Sequence, residues 1–488
     1  MYIVATPHSG GKVSYIEGMS RTQATLLPEV LDDYIGEENE ARVIDAFVES
    51  LNLVELGFLR AEPGWMGRPS YDPRDLLKLY IYGYLNRVRS SRALERECGR
   101  NLEVLWLMRR LQPDHRTIAD FRRDHVKQLR VVCAEFVVVC REMELVGAEL
   151  AAIDGTKLRA VNAKDRNYTR KELEELRAKA EAKLSAYLSQ LAETDAAEEV
   201  EAAEVEALRE KIERLKKRTG KHKAILARMD AEETDQVSLT DPESRRMKVG
   251  AGTAVCYNAQ ISVDAKHHLI VMNDVTNEEN DLNQLSPMAV ATKDALEVET
   301  LEVTVDAGYH NEDELAECEE SAITAFAPRP KAATRNTKEG FAKSDFMYQP
   351  EQDAYLCPGG HMLEHRHEGQ KQGKKLRYYR TSACKTCPLR EQCTKDPRGR
   401  RIGRTPKEDV VERAEERLKE RPGIMRERRC LAEHPFGTIK HWNGQGFFLM
   451  KGLEKVCGEF SLSVLGYNLR RAINLVGVVR LVAAMKAR

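Results

Sequence analysis

Two apolar segments of the 488-residue chain end in the same way, with an aspartate followed by small residues. In ELAAIDGT the run reaches Asp154 before Gly155, and in LEVTVDAG it reaches Asp306 before Ala307 and Gly308. The β-branched residues of the second run are typical of a buried strand. Two unpaired carboxylates on buried strands are costly, because burial and mutual repulsion raise their pKa values. Divalent cations such as Mg²⁺ remove this conflict, since they take carboxylate oxygens as ligands.

A third carboxylate is expected at the end of a long helix predicted over about residues 406–433. Arg429 precedes Glu433 by four residues, and Lys440 follows it by seven, so the three share one helical face if the helix resumes beyond Pro435. Two metal ions on such carboxylates activate a nucleophile and stabilise the leaving oxygen of a phosphodiester. The alternative for Glu433 is an ordinary surface ion pair, since other glutamates lie on the same helix.

The alternation of apolar and polar residues predicts a β-hairpin, with strands at Ala254–Val263 and His268–Val275. A helix over 281–295, the strand that ends at Asp306, a short helix and the strand AITAFAP follow. Without two insertions, the order of strands and helices predicts an α/β fold. One insertion is rich in Ala, Glu, Lys and Leu, which is typical of a helical hairpin.

The segment from Gly67 to His125 predicts several short helices with a basic surface. From Arg68 to Arg130 there are 15 Lys or Arg residues against 8 Asp or Glu, a net charge of +7. Clustered cations on small helices are typical of a DNA-binding unit, for which Arg109 and Arg110 are candidate phosphate contacts. The alternative is a helical scaffold with a solvated basic face.

Four of the eleven cysteines are close together in a polar segment. Cys384 and Cys387 form a CxxC pair, Cys393 follows, and Cys357 precedes in YLCPGGH. Four thiolates of this kind could close a structural zinc site, for which His361, His365 and His367 are rival ligands. Free cysteines in an insertion are the alternative. The remaining cysteines are expected in the core as small apolar residues.

Composition indicates a cytoplasmic chain. Lys and Arg number 77 against 78 Asp and Glu, so the whole-chain charge says nothing about partners. The first residues lack the basic start and apolar stretch of a signal peptide, and no apolar run is long enough to span a bilayer. An odd number of scattered cysteines favours a reducing compartment.

The segments AAIDGTKLRA, YNAQISVD, VTVDAGYHN and AEHPFGTIKHW together resemble the DDE transposases of bacterial insertion sequences. The helices from Gly67 to His125 resemble the N-terminal domain of that family. The resemblance implies a catalytic triad of Asp154, Asp306 and Glu433 that binds two Mg²⁺ or Mn²⁺ ions. It also implies a Tyr, Arg, Glu, Lys signature for DNA contact. Here Arg429, Glu433 and Lys440 match that signature, whereas Arg426 stands at the Tyr position.

The fold class implied is α/β, with a ribonuclease-H-like mixed sheet carrying a helical insertion and preceded by an all-α N-terminal domain. The predicted domains are a DNA-binding domain at 1–148, a catalytic core at 149–165 and 240–330, a helical hairpin at 166–239, a cysteine-bearing insertion at 331–402 and a C-terminal helical part of the core at 403–488.

The function implied is DNA transposition in a bacterial cytoplasm, in association with the nucleoid. The partners would be double-stranded DNA, as the terminal inverted repeats of the element and as target DNA, and a second copy of the chain on that DNA. No membrane partner is expected. A metal-dependent nuclease on the same core and an inactive DNA-binding descendant are the alternatives.

Overall fold

The computed structural model describes residues 30–62, 70–163, 166–195, 202–231, 233–330, 341–371 and 373–488. The described N-terminal region is helical, as predicted, and it leads into a mixed α/β part. Its helices are α1 (Ala41–Glu49), α2 (Pro73–Leu85), α3 (Ser91–Arg100), α4 (Leu102–Leu107), α5 (His115–Asp124) and α6 (Val126–Glu142).

Local capping explains where most of these helices begin. The Asp72, Ser90, Asn101 and Asp114 side chains each accept hydrogen bonds from backbone N–H groups in the first turn of the helix that follows. The sequence also predicts one helix from Asp114 towards Cys140, and this is wrong. The chain breaks at His125, whose ring bonds to the Phe121 carbonyl and accepts a hydrogen bond from the Leu59 N–H.

A six-stranded mixed sheet forms the centre of the α/β part. Its strands are β1 (Leu150–Arg159), β4 (Arg245–Val249), β5 (Gly252–Asp264), β6 (Ile270–Thr276), β7 (Leu301–Thr304) and β8 (Ile323–Phe326). β5 pairs antiparallel with β1 along one edge and with β4 and β6 along the other. β1, β7 and β8 are parallel. The order β6-β5-β1-β7-β8 thus places β1 at the centre.

The register of the sheet brings the two predicted aspartates to one place. Ala152 of β1 lies opposite Thr304 of β7, in parallel pairing. Two further residues along the chain from this pair are Asp154, in the middle of β1, and Asp306, two residues beyond the end of β7, so the two residues lie side by side. α9 (Leu285–Leu296) connects β6 to β7, and α10 (Glu312–Glu320) connects β7 to β8.

Two insertions leave this core. The first is a helical hairpin of α7 (Arg170–Asp195) and α8 (Ala202–Ala231), closed at its base by β2 (Asn167–Thr169) and β3 (Gln236–Ser238). The second is a five-stranded antiparallel sheet of β9 (Met347–Gln349), β10 (Ala354–Leu356), β11 (Met362–Lys371), β12 (Lys374–Arg380) and β13 (Ile402–Arg404), with the one-turn helix α11 (Arg390–Cys393). We call this second insertion the cysteine module.

The long helix predicted over 406–433 is two helices, α12 (Glu408–Glu420) and α13 (Ile424–Gly437). Pro422 explains the break, because a proline disfavours helical geometry in the residue before it. Pro435 lies inside α13 without ending it, and a π-helical turn, Thr438–Trp442, follows.

The last helices join the two parts of the molecule. α14 (Leu453–Val476) is almost entirely buried and packs against α6, α2 and β6, and α15 (Val478–Lys486) packs against α1. A Cβ at Gly458 would lie 2.7 Å from the Val126 side chain, so these helices approach closely. One hydrophobic core therefore runs from the N-terminal helices into the sheet.

Candidate active site

Asp154 is the inner carboxylate of the site. It lies in the middle of β1 with 18% of its side chain exposed, and it accepts a hydrogen bond from the Gly155 N–H at 3.0 Å. Burial raises the pKa of Asp154 to about 6. The Arg428 guanidinium offsets part of this rise, and the negative charge of Asp306 adds to it. Asp154 is thus a carboxyl group whose environment favours a nearby cation.

Asp306 is the outer carboxylate, with 47% of its side chain exposed. It follows β7 and caps a short 3-10 turn, Ala307–Tyr309, by accepting a hydrogen bond from the Gly308 N–H at 2.7 Å. A strand end and a capped turn hold this side chain at a fixed position beside Asp154.

Arg428 contacts both aspartates, and the sequence reasoning missed it. Its Nη2 atom lies 2.7 Å from Asp154 Oδ1 and 4.0 Å from Asp306 Oδ2. Ile424 and Leu431, four residues before and three after, are buried on α13. Arg428 therefore lies on the apolar stripe of the helix, and this spacing is the signal that would have predicted its inward direction.

Asp281 is the second residue that the sequence reasoning missed, and it adds a further carboxylate near the site. Its Oδ1 atom accepts hydrogen bonds from the Asn258 amide at 2.6 Å and the Gln260 amide at 2.8 Å, and it lies 3.5 Å from Lys157 Nζ. Gln260 in turn accepts a hydrogen bond from the Tyr309 hydroxyl. We call these five residues the supporting network. Two amides on alternate positions of an apolar strand were the available signal, because buried polar groups need partners.

The supporting network lies on the face of the sheet opposite α13. Gly155 pairs with Gln260, and Lys157 with Asn258, so these residues share one face of the sheet, while Asp154 points to the other. Through Gln260 and Tyr309, the network reaches the turn that begins at Asp306. It therefore connects β5 to the segment that positions the outer carboxylate.

Glu433, the predicted third carboxylate, is exposed on α13. Among the described residues it has no hydrogen bond or ion pair with Asp154, with Asp306 or with any other group. Arg426 and Arg429 are also exposed, and their spacing places them on the same helical face as Glu433. The structure thus brings the two aspartates together, and it places Glu433 on a face of α13 that Arg428 does not share.

Lys440 reaches the site from the π-helical turn. Its ammonium group donates a hydrogen bond to the Thr156 hydroxyl, two residues beyond Asp154 on β1. Burial lowers the pKa of Lys440, while the charge of Asp154 partly opposes this effect. Lys157 Nζ is buried with no hydrogen-bond partner among the described residues, and its ion pair with Asp281 is its polar contact. Lys440 therefore lies on the Asp154 face of β1, whereas Lys157 belongs to the opposite face with Asp281.

The donor set fits a hard divalent cation, although a formed site is not present. Within the described ranges, no group of three or more His, Cys, Asp or Glu side chains is arranged to hold a metal ion. Asp154 in the middle of β1 and Asp306 just beyond β7 would nonetheless supply oxygen ligands, and the Arg428 cation lies against both of them.

The four predicted zinc ligands surround one small pocket of the cysteine module. Cys357, Cys384, Cys387 and Cys393 all line this pocket, together with His361. Cys357 begins a turn in which its Sγ accepts a hydrogen bond from the His361 N–H at 3.4 Å. A Cβ at Gly359 would lie 3.3 Å from Cys387 Sγ and 3.6 Å from Cys357 Sγ. All cysteines are free, and of the remaining seven only Cys430 is exposed rather than in the core.

Arg109 and Arg110, the predicted phosphate contacts, lie together in the turn after α4, both with positive φ. Arg109 pairs with the buried Asp75 carboxylate at 2.6 Å, while 64% of its side chain stays exposed. Arg110 donates a hydrogen bond to the Tyr34 hydroxyl. Both guanidinium groups thus already have partners within the N-terminal helices.

Comparison with known protein families gives two matches. Residues 356–473 match a family described as transposase DDE domain, and residues 29–124 match a family described as transposase domain (DUF772). The first segment contains Glu433, Lys440 and the four cysteines of the module. Asp154 and Asp306 lie outside both matched segments. No curated protein and no solved structure matches the chain.

Two separate segments of the chain therefore match families of transposase domains. The two matched segments confirm the resemblance to the DDE transposases of bacterial insertion sequences. DNA is accordingly the partner that these families imply, and divalent metal use is general among DDE transposases. None of the helices in the described ranges combines the length and apolarity needed to cross a membrane.

Proposed function

We propose that the chain catalyses DNA transposition: it binds the terminal inverted repeats of its element, cleaves there and joins the freed 3′ ends to target DNA. The observation that carries this proposal is that Asp154 of β1 and Asp306, just beyond the parallel strand β7, lie together against Arg428 of α13. The strand order, with three antiparallel strands followed by two parallel ones, supports a ribonuclease-H-like core.

In this proposal Asp154 and Asp306 hold Mg²⁺ or Mn²⁺ with Glu433 as the third carboxylate. Two such ions supply an activated water and stabilise the leaving oxygen. Lys440 and Arg429 would contact the phosphates on either side, and Arg426 would do so at the position where the family has Tyr. Phosphate contacts of this kind fix the register of the DNA.

We further propose that the cysteine module holds one structural zinc ion through Cys357, Cys384, Cys387 and Cys393. Four sulfur ligands are typical of closed structural zinc sites. The support is their arrangement around one pocket in a module whose own hydrophobic cluster has only five buried residues. Such a small core gains stability from a metal crosslink.

The same proposal places the chain in a reducing cytoplasm at the nucleoid, which its free cysteines support. The N-terminal helices would bind the element ends. A homodimer on DNA follows from the reaction, because two ends must be cut and joined together.

A strand-transfer assay on DNA that carries the inverted repeats flanking the gene tests the function. We expect joined products with Mg²⁺ or Mn²⁺. We expect neither cleavage nor joining from Asp306→Asn or Glu433→Gln, although both variants should bind end DNA normally. Glu427→Gln is the matched control, because Glu427 lies on the same helix and pairs with Arg421 instead.

The alternatives predict other outcomes of this assay. Cleavage without joined products would replace the proposal with a metal-dependent nuclease. DNA binding without cleavage by the wild-type protein would indicate an inactive descendant. A fully active Glu433→Gln variant would remove Glu433 from the triad while leaving the function intact.

A further inference from the structure

The end of the π-helical turn and the loop after it each expose one aromatic side chain. Trp442 is 67% exposed and Phe447 is 50% exposed. An arginine from the N-terminal helices lies over each ring. The guanidinium carbon of Arg87 is 5.1 Å from the Trp442 ring centre, and that of Arg89 is 5.2 Å from the Phe447 ring centre. Exposed rings beside arginines are typical of surfaces that bind unpaired nucleic acid.

A pocket of about 330 Å³ opens beside the Phe447 ring. Arg87, Arg89 and Arg100 line it from the N-terminal side, and Phe447 lines it from the loop. Glu97, a carboxylate in its lining, pairs with Arg100, so the positive charge of the pocket comes from Arg87 and Arg89. Its volume lies in the range of small-ligand sites, and its charge suits a phosphate-bearing ligand.

Hydrogen bonds from neighbouring elements fix the loop that carries Phe447. Arg89 donates hydrogen bonds to the Gly444 carbonyl at 2.9 Å and to the Phe447 carbonyl at 3.1 Å, and it lies 3.6 Å from the buried Glu459 carboxylate. The Phe448 N–H donates to the Arg159 carbonyl at 2.8 Å. A ring fixed before binding loses little conformational entropy when a ligand stacks on it.

The rings lie within reach of the candidate active site. Phe447 bridges to Arg159, which is five residues beyond Asp154 on β1. At about 3.3 Å per residue this is roughly 16 Å along the strand. That distance corresponds to about five base steps of B-form DNA.

We propose that Trp442, Phe447 and Arg87 form a binding site for an unstacked nucleobase of the DNA held in the active site. The base lies against an aromatic ring, and the adjoining backbone phosphate lies against Arg87. This inference rests on the proposed function only for the identity of the ligand as DNA. The inference adds a site at which one DNA strand is separated from its complementary strand.

Binding measurements in the presence of a metal chelator test this site without any cleavage. The probes are an oligothymidylate of about 16 nucleotides, the upper end of common site sizes, and the duplex of the same length. Trp442→Ala should weaken single-strand binding by roughly 5- to 150-fold, which is ~1–3 kcal/mol for a stacked base. Binding of the duplex should stay unchanged. Trp442→Phe should retain most of the single-strand affinity, because it keeps an aromatic face.

Met347→Ala is the control, because Met347 is 62% exposed on the separate cysteine module. Arg87→Ala should weaken single-strand binding and should also reduce its salt dependence. Any one of four results would overturn the site. They are equal losses of affinity for both probes, an unchanged single-strand affinity of Trp442→Ala, no single-strand binding by the wild type, and a substitution that changes the oligomeric state and nothing else. Trp442-dependent binding by a protein that never cleaves DNA would uphold the site and refute the proposed function.

Discussion

The Arg428 guanidinium lies 2.7 Å from the Asp154 carboxylate and bridges towards Asp306 at 4.0 Å. A side-chain cation thus lies where the two aspartates would hold a metal ion. Both members of the closer pair are largely buried, with 12% and 18% of their side chains exposed. Arg428 and a divalent cation therefore compete for the same carboxylate oxygens.

Replacing Arg428 should separate its two effects. Arg428→Gln should raise the affinity for Mn²⁺, because the competing cation is gone. It should also lower the free energy of unfolding in chelator by ~1–3 kcal/mol, because Asp154 loses its partner. Calorimetric Mn²⁺ titration and denaturant unfolding measure the two quantities, and Arg428→Lys is the charge-preserving control. A lower Mn²⁺ affinity in Arg428→Gln would contradict the competition.

Metal binding should depend on pH through Asp154. Burial raises the pKa of this carboxyl to about 6, so it is charged above that pH and takes up a proton below it. Since a metal ligand must be deprotonated, Mn²⁺ affinity should be constant above about pH 6 and should fall towards tenfold per pH unit below it. Mn²⁺ titrations followed by electron paramagnetic resonance measure this profile. A profile that stays flat down to pH 5 would show that Asp154 does not bind the ion.

Asp281 should act on catalysis through Asp306. Asp281→Ala removes the acceptor of two amides and leaves the buried Lys157 without its ion pair, so the Tyr309 turn loses its support. We expect a fall in kcat of strand cleavage of about tenfold or more with a nearly unchanged KM for DNA, because positioning errors mainly affect the chemical step. Glu278→Ala, an exposed residue of the same loop, is the control.

Partial recovery of kcat by Asp281→Asn would support a positioning role, because asparagine keeps one oxygen acceptor. A raised KM with unchanged kcat would instead place Asp281 in DNA binding. Thermal unfolding of each variant shows whether loss of the fold explains the result.

The cysteine module should contain one zinc per chain. Elemental analysis of protein purified without chelator should give that ratio, and Cys384→Ser or Cys387→Ser should lose the metal and unfold the module at lower temperature. Cys430→Ser is the matched control, since Cys430 is exposed on α13 outside the module. A metal-free protein with full activity would return the four cysteines to the role of free thiols.

The N-terminal helices should bind end DNA with a steep salt dependence. If Arg110 contacts a phosphate, Arg110→Gln should reduce the slope of log affinity against log salt by about 0.9 without changing sequence preference. Arg109→Gln needs a parallel stability measurement, because it also removes the partner of the buried Asp75. Affinity measured over a salt series tests both variants, and slopes equal to that of the wild type would make this turn a scaffold.

Features that depend on neighbouring residues in the chain were predictable from the sequence. The helix caps at Asp72 and Ser90 and the strand ending before Asp306 follow from local chemistry, and the structure contains all three. The break at Pro422 was also a local signal, but the strong helical periodicity on both sides concealed it. Three of the five strands of the cysteine module have only three residues, too few to show the alternation that predicts a strand.

Which residues form the site could not be predicted in this way, because it depends on how helix and sheet faces pack together. Arg428 rather than Arg429 contacts Asp154, because the rotation of α13 is set by the packing of Ile424 and Leu431. Asp281 was predicted as the first residue of a helix over 281–295, but α9 begins at Leu285, so Asp281 lies in the loop before it. Only the pairing of β5 with β1 brings Asn258 and Gln260 beneath it.

At Gly155, only the backbone of β1 separates the Asp154 carboxylate on one face of the sheet from the supporting network on the other. A Cβ there would lie 2.7 Å from Asp281 Oδ1 and 3.0 Å from the Tyr309 hydroxyl. A single methyl group at this position would thus displace the network without contacting Asp154 or Asp306. Gly155 therefore offers an adjustment point from which the spacing of the reacting groups can be tuned while every candidate ligand keeps its chemical identity.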